Sequence, residues 1–256
     1  MEYLKMFLIL GPLLFLTGFV DSVAGGGGLI SIPAYLFVGL PVHLASGTNK
    51  VVNGIGTASA TWRFFKSGKI RMRIALWAAA GALGGAFFGA RLALKMPEQI
   101  LQACLLIALP VVAVFLAVKK DFGKTGSPAG KDLPPMKEHL LSLLIGLVIG
   151  LYDGLVGPGT GTFLIMSFTL VLGMDLITAS GCAKVVNLSS NIASAAVWIT
   201  GGKVIWSIVL PAVIFVVAGN QCGARYAIRG GSSKVRHMIF VVLGMLFVKM
   251  IWELFV

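Results

Sequence analysis

Two aspartates, two lysines and a set of asparagines stand in an otherwise apolar sequence, and their arrangement occurs twice. Asp21 and Asp153 each close an apolar stretch just before a glycine-rich run. The first run is Gly25, Gly26, Gly27 and Gly28, and the second is Gly157, Pro158, Gly159, Thr160 and Gly161. Downstream of each run comes a polar stripe at helical spacing. Ser46, Asn49, Lys50, Asn53, Thr57 and Thr61 make the first, and Ser180, Lys184, Asn187, Asn191 and Ser194 the second. On a membrane helix such a stripe must face the bundle interior, because a polar side chain in hydrocarbon is costly unless protein or water meets it.

Each of these residue types offers something to a small anion. A buried lysine could bind the anion or pair with a carboxylate. Glycine runs remove side chains where the backbone must break, leaving N–H groups and the N-terminus of a half-helix to attract negative charge. Asp21 and Asp153 at membrane depth are candidates for proton coupling. Blander readings stand beside these. Each aspartate could sit at the interface and cap the short helix that follows. Each lysine lies only a few residues into its segment and could snorkel to a headgroup, and the glycines could serve close helix packing. Arg91 and Arg225, at segment ends, read as interfacial anchors. Trp62, Trp77, Trp198, Trp206 and Trp252 mostly flank charged connections and read as an aromatic belt.

No catalytic or cofactor constellation accompanies the stripes. His43, His139 and His237 are scattered near segment ends, and Cys104, Cys182 and Cys222 stand isolated without a CxxC spacing. Neither a metal site nor a nucleophile–base pair is indicated. The glycine runs lack the Lys-Ser/Thr pair of a P-loop and do not match GxGxxG, which argues against ATP-driven transport. An enzyme would lack its machinery, and no cofactor is expected.

Composition sets the solvent. Hydrophobic residues make up 57% of the 256 and charged residues 12%, against about a quarter charged in soluble domains. With a mean hydropathy of +0.95 and apolar stretches near the ~20 residues that cross a bilayer, the chain reads as an all-α polytopic membrane protein. Its 33 glycines are near double the ~7% background. The net charge of +12 comes from 21 Lys and Arg against 9 Asp and Glu. Most of the basic residues lie in short connections, where they set topology, so no nucleic-acid partner is implied. Lys5 and the apolar run after it resemble a signal peptide, but Asp21 and the glycines follow where a small-residue cleavage site would stand. A retained first helix is expected.

Apolar segments run from Met6 to Ala24, Leu29 to Val42, Leu44 to Phe65, Ile74 to Leu94 and Ile100 to Val118. Lys119 to Glu138 carries eight charged residues among Gly126, Pro128, Gly130, Pro134 and Pro135, the composition of an exposed linker. Five more segments follow, Leu140 to Val156, Thr162 to Leu172, Ile177 to Thr200, Ile205 to Ala227 and Val235 to Val256. The halves match each other. Asp21 and its glycines fall on Asp153 and its run at an offset of 132, which becomes 134 beyond the loop. At 134, Ser46-Gly47 meets Ser180-Gly181 and Lys50-Val51-Val52-Asn53 meets Lys184-Val185-Val186-Asn187. Gly68-Lys69 then meets Gly202-Lys203, and Gly89-Ala90-Arg91 meets Gly223-Ala224-Arg225. Such self-similarity marks a repeat. The domains are therefore a first repeat over 1–118, a polar, cytoplasmic linker over 119–138, and a second repeat over 139–256.

An odd number of crossings per repeat turns the second upside down, so five segments favour inversion. Total charges on the two sides barely separate inverted from parallel. Inversion does group Lys66, Lys69, Arg71 and Arg73 with Arg225, Arg229, Lys234, Arg236 and the linker. Leu29–Val42 and Thr162–Leu172 are short for a span and read as half-helices or re-entrant segments, giving 8 to 10 membrane segments.

The run from Gly18-Phe19-Val20-Asp21 through Ser22-Val23-Ala24-Gly25-Gly26-Gly27-Gly28-Leu29, with Ser46-Gly47-Thr48-Asn49-Lys50 after it, resembles the TauE/SafE family of sulfite exporters and toluene sulfonate uptake permeases. The resemblance covers nearly the whole chain and returns, degenerately, at Gly157–Gly161 and Ser180–Lys184. It implies an inner-membrane transporter for sulfite, sulfoacetate, other organosulfonates or related sulfur anions. The second repeat departs from the first: Pro158 and Thr160 replace loop glycines, and Cys182 and Ala183 stand where Thr48 and Asn49 stand. The half-sites are therefore unequal.

The expected function is a secondary transporter moving a small sulfur-containing anion, held by the glycine runs, Ser46, Asn49, Lys50, Asn53, Ser180, Lys184 and Asn187. A passive anion channel is the alternative, since the same lining could serve a selectivity constriction. The partners expected are the anion and the bilayer, with a homodimer as one candidate assembly.

Overall fold

The computed structural model describes residues 2–105, 107 and 134–255. All of the named elements there are helices: α1 (Glu2–Ala24), α2 (Gly28–Phe37), α3 (Val42–Lys66), α4 (Met72–Lys95), α5 (Pro135–Leu155), α6 (Thr160–Leu172), α7 (Leu176–Thr200) and α8 (Trp206–Phe255). Backbone at 98–105 is helical as well.

Local chemistry explains the boundaries. Pro41 and Pro134 stand just outside α3 and α5, where a fixed φ starts a helix without the loss of a bonded N–H. Asp175 caps α7, its carboxylate accepting from the N–H groups of Ile177 and Thr178, the standard use of that residue at a helix start. Gly173 and Gly39 end the short helices α6 and α2 with φ of 67° and 86°, backbone that side chains with a Cβ avoid.

α1 from Met6, α4, α5 and α8 as far as Val235 are each long and apolar enough to cross a membrane. α2 and α6 have 10 and 13 residues, too few to cross alone. α3 and α7 have 25 each but carry the polar stripes, and they lie between two apolar pairs. α3 packs on α8 of the α1/α8 pair, and α7 packs on α4 of the α4/α5 pair.

Helix directions follow from the close contacts. Gly11 meets Phe215, Phe15 meets Gly219 and Phe19 meets Gly223, so α1 and α8 run parallel. Ala78 meets Gly146, Ala82 meets Gly150 and Ala86 meets Gly154, so α4 and α5 also run parallel. α3 and α7 run in opposite directions. Gly47, near the start of α3, abuts the Lys203 carbonyl beyond the end of α7, while Gly181, near the start of α7, abuts the Lys69 carbonyl beyond the end of α3. Lipid gives no hydrophobic reason for helices to associate, so contact area between closely approaching backbones has to hold them. A Cβ at Gly85 would collide with the Leu147 carbonyl, and one at Gly219 with that of Phe15. Much of the glycine excess is explained by these seams.

Several boundaries differ from the sequence expectation. The second segment ends at Phe37 rather than Val42 because Gly39 turns the chain. The last two segments join into α8, interrupted only at Gly231, whose φ of 64° breaks the helical path. α5 begins at Pro135, inside the stretch read as linker, while 119–133 and most of the Ile100–Val118 segment lie outside the described residues. Trp198 is buried rather than part of a belt, packed edge-on to His43, whereas Trp62, Trp77 and Trp206 are exposed as expected. The Trp252 side chain lies outside the described residues.

Candidate functional site

The two glycine runs break the chain between α1 and α2 and between α5 and α6. Gly25, Gly157 and Gly159 take φ of 76°, 93° and 82°, which lets the backbone reverse within a few residues. Asp21 and Asp153 remain in the last turns of α1 and α5. They do not cap the helices that follow: α2 and α6 start from Gly27 and Gly159 with no side-chain cap.

Both aspartates instead meet a lysine from the other half of the chain. Lys184 Nζ donates to Asp21 Oδ2 at 2.7 Å. Lys50 Nζ lies 2.8 Å from Asp153 Oδ2 and donates to the Asp153 carbonyl at 2.6 Å. Lys184 is fully buried and Lys50 is 6% exposed, so neither snorkels to an interface. Two ammonium groups at this depth persist only because each has an anionic partner.

The two pairs are not equivalent. Asp153 also accepts from Thr160 Oγ1 on Oδ1 at 2.8 Å and from Ser190 Oγ on Oδ2 at 2.6 Å. Among the described residues Asp21 has Lys184 alone as a side-chain donor. Sequence accounts for the difference, since the repeat positions matching Thr160 and Ser190 are Gly28 and Gly56. Neither glycine can supply a hydroxyl.

Between the pairs lies a cavity of about 20 Å³, room for a single water. Asp21, Gly25, Gly28, Asn49, Lys50, Asn53, Asp153, Gly157, Thr160, Gly161, Asn187 and Asn191 line it. Within it Asn53 Nδ2 donates to Asn49 Oδ1 at 2.8 Å, and across from it Asn191 Nδ2 donates to Asn187 Oδ1 at 3.4 Å. The amides thus pair along each helix, i to i+4, and the lysines are held by carboxylates. An oxyanion of several heavy atoms has no space here until a pair opens.

Most residues expected from sequence converge on this cavity, and some do not. Ser46 and Ser180 stand one turn before Lys50 and Lys184, which carries them away from the centre; the Ser180 hydroxyl donates to the Leu176 carbonyl of its own helix. Gly26, Gly27, Gly159 and Lys184 are outside the lining; Gly27 instead makes room for the Asp21 side chain, and Lys184 meets the cavity wall only through the Asp21 carboxylate it holds. Ser190 is not among the residues expected from sequence, although it lies three residues from Asn187, a spacing that puts both on one helix face. Asn191 belonged to the polar stripe and joins the lining. Among the described residues no three metal-ligating side chains come together.

The scaffold around the pairs repeats with the same exchange. The Ile205 N–H donates to Thr48 Oγ1 at 3.1 Å, and the Arg71 N–H donates to Cys182 Sγ at 3.3 Å. Each bond ties the chain just beyond one polar helix to the start of the other, and the exchange of Thr48 for Cys182 keeps the acceptor.

Comparison with known proteins adds to this geometry. The family model described as sulfite exporter TauE/SafE matches residues 10–250. The chain is 32% identical over 228 residues to the probable membrane transporter protein ORF9 of Sinorhizobium sp, covering 89% of this chain and 85% of the relative. A probable membrane transporter protein of Haemophilus influenzae is 32% identical over 244 residues, 93% of this chain and 92% of the relative. The probable membrane transporter protein YfcA of Escherichia coli K12 is 30% identical over 249 residues, 96% and 91% of the two chains. No solved structure matches the chain.

Proposed function

Since the chain belongs to the sulfite exporter TauE/SafE family and is a multi-pass membrane transporter, not an enzyme, we propose that it is a proton-coupled secondary transporter of a small sulfur-containing anion such as sulfite, sulfoacetate or another organosulfonate across the inner membrane. The observation that carries this reading is the pair of crossed, buried ion pairs, Lys184–Asp21 and Lys50–Asp153, at 2.7 and 2.8 Å on either side of one polar cavity.

An anion entering the cavity competes with a carboxylate for the same ammonium. A buried carboxylate that loses its lysine is left uncompensated, which costs several kcal/mol, and taking up a proton removes that charge. Anion binding and proton uptake are then linked by the same side chain. Asp21 is the readier partner to release, because one lysine holds it where three side-chain donors hold Asp153. Asn49, Asn53, Asn187 and the N–H groups of the glycine runs would take the anion's remaining oxygens.

The two halves act as inverted repeats in this reading. The opposite directions of the matched helices α3 and α7 support it. Midplane sites built from broken helices at a repeat interface are typical of such transporters. With no room for more than a water in the cavity, an always-open conductive path gains no support.

The test is flux of sulfite, sulfoacetate, sulfate and chloride into liposomes holding the full chain, with and without an imposed pH gradient. Saturable, gradient-driven movement of one sulfur anion is expected. Gradient-independent, ohmic flux of several anions would replace the reading with a passive channel.

A further inference from the structure

A second concave site lies away from the ion pairs, at the end of α3. It is a cleft of about 630 Å³ between the last turns of α3 and the middle of α8. Arg63, Lys66, Arg225 and Arg229 line it together with Trp62 and Ile228, and no carboxylate is among the lining residues. Four cations gathered in one cleft repel one another unless an anion sits between them.

The cations are presented rather than neutralised. Arg63 Nε donates to Gln221 Oε1 at 2.6 Å, and Gln221 is itself fixed by donating to the Ser59 carbonyl at 2.8 Å. That bond orients the guanidinium and leaves its terminal nitrogens available. Lys66 stands over the exposed Trp62 ring at 4.8 Å. Arg225 and Arg229 are exposed and make no hydrogen bond or ion pair among the described residues. The cleft therefore combines fixed and free cations with an indole and an aliphatic wall.

The repeat supplies an internal control. Residues matching Arg63 and Lys66 are Val197 and Thr200, and those matching Arg225 and Arg229 are Arg91 and Lys95. At that end Leu94 closes over Gly201, and Arg91 stacks on Phe87 at 4.5 Å, Phe87 standing where the cleft has Gln221. Among the described residues the matched positions thus pack differently at the two ends, and the gathering of four cations is not imposed by the repeat. Helix packing alone does not require it.

We infer that the Arg63–Lys66–Arg225–Arg229 cleft binds the phosphate headgroup of an anionic membrane phospholipid. A lipid is favoured over a free anion by the company the cations keep. α3 ends here and the apolar first half of α8 gives way here to its arginines, the level at which headgroups lie. Exposed Trp62 and Phe65 beside the cleft match the amphipathic surroundings of a headgroup and its first acyl carbons. Basic residues near a membrane surface attract anionic lipid individually and add when clustered.

The experiment is native mass spectrometry and thermal unfolding of the full chain in detergent with phosphatidylglycerol, phosphatidylcholine or inorganic phosphate added. Phosphatidylglycerol should remain bound and raise the unfolding midpoint, while the other two do neither. Arg225→Gln and Arg229→Gln should each weaken its binding about fivefold and the double variant about 30-fold. Lys66→Gln should also weaken it, and the repeat-matched Arg91→Gln with Lys95→Gln should leave it unchanged. Equal stabilisation by inorganic phosphate would make this a soluble-anion site and overturn the lipid assignment. Equal retention of phosphatidylcholine, or an equal loss in the Arg91/Lys95 variant, would overturn it as well.

Discussion

Lys184 and Asp21 are 163 residues apart in the chain, yet their charged atoms meet at 2.7 Å in the middle of the molecule. Lys50 and Asp153 make the complementary pair. Each half of the protein thus neutralises the buried charge of the other, and neither half can fold alone without exposing an uncompensated ion to a low-dielectric interior.

Breaking a pair from one side should therefore cost more than removing it. Lys184→Met should lower stability by about 3–5 kcal/mol, because Asp21 is left buried and unpaired. Combining it with Asp21→Asn should recover most of that loss while transport stays absent. Unfolding midpoints in detergent, set beside liposome flux, measure both; a double variant as unstable as Lys184→Met would refute the compensation.

The unequal surroundings of the carboxylates predict unequal phenotypes. Asp153→Asn should destabilise more than Asp21→Asn, by about 1.5–3 kcal/mol for each charge-assisted hydroxyl bond weakened. Asp21→Asn should instead retain anion exchange and lose gradient-driven accumulation, since its amide cannot carry a proton. Equal accumulation by wild type and Asp21→Asn would remove Asp21 from the coupling role.

Asn53→Ala and Asn187→Ala should raise the half-saturating anion concentration by about tenfold or more, the loss of one hydrogen bond to a charged group. Ser180→Ala, outside the cavity, should leave it near the wild-type value. Initial rates of uptake against anion concentration separate the two outcomes.

Seam glycines should divide by what faces them. Gly85→Ala and Gly219→Ala push a methyl group into a neighbouring carbonyl and should cost about 1–3 kcal/mol. Gly84→Ala meets open space and should be neutral or gain up to about 1 kcal/mol of helix propensity. Thermal unfolding of the three variants is a direct comparison.

Inversion predicts that the turns after α3 and α7 lie on opposite sides of the membrane. With Cys104, Cys182 and Cys222 replaced, Lys69→Cys and Lys203→Cys, both at exposed positions, should react with an impermeant maleimide from opposite faces of oriented vesicles. Labelling of both from one face would rule inversion out.

Much of this protein is legible along its chain. Apolar length shows that lipid is its solvent, and the residue types of Asp21 and Lys50 return at Asp153 and Lys184 at nearly constant offsets. Helical spacing also groups Asn49 with Asn53 and Asn187 with Asn191, because i and i+4 share a helix face whatever the helix packs against. What periodicity cannot carry is the relation between helices. Whether each lysine pairs within its own half, reaches across, or escapes to a headgroup depends on how α3 and α7 lie against each other. That is settled where Gly47 and Gly181 allow each helix to approach the far end of its counterpart. The arginines of α3 and α8 likewise form a cleft only because two helices distant in sequence end at one level. Local spacing decided which residues share a face, and the tertiary packing of small residues decided which faces meet.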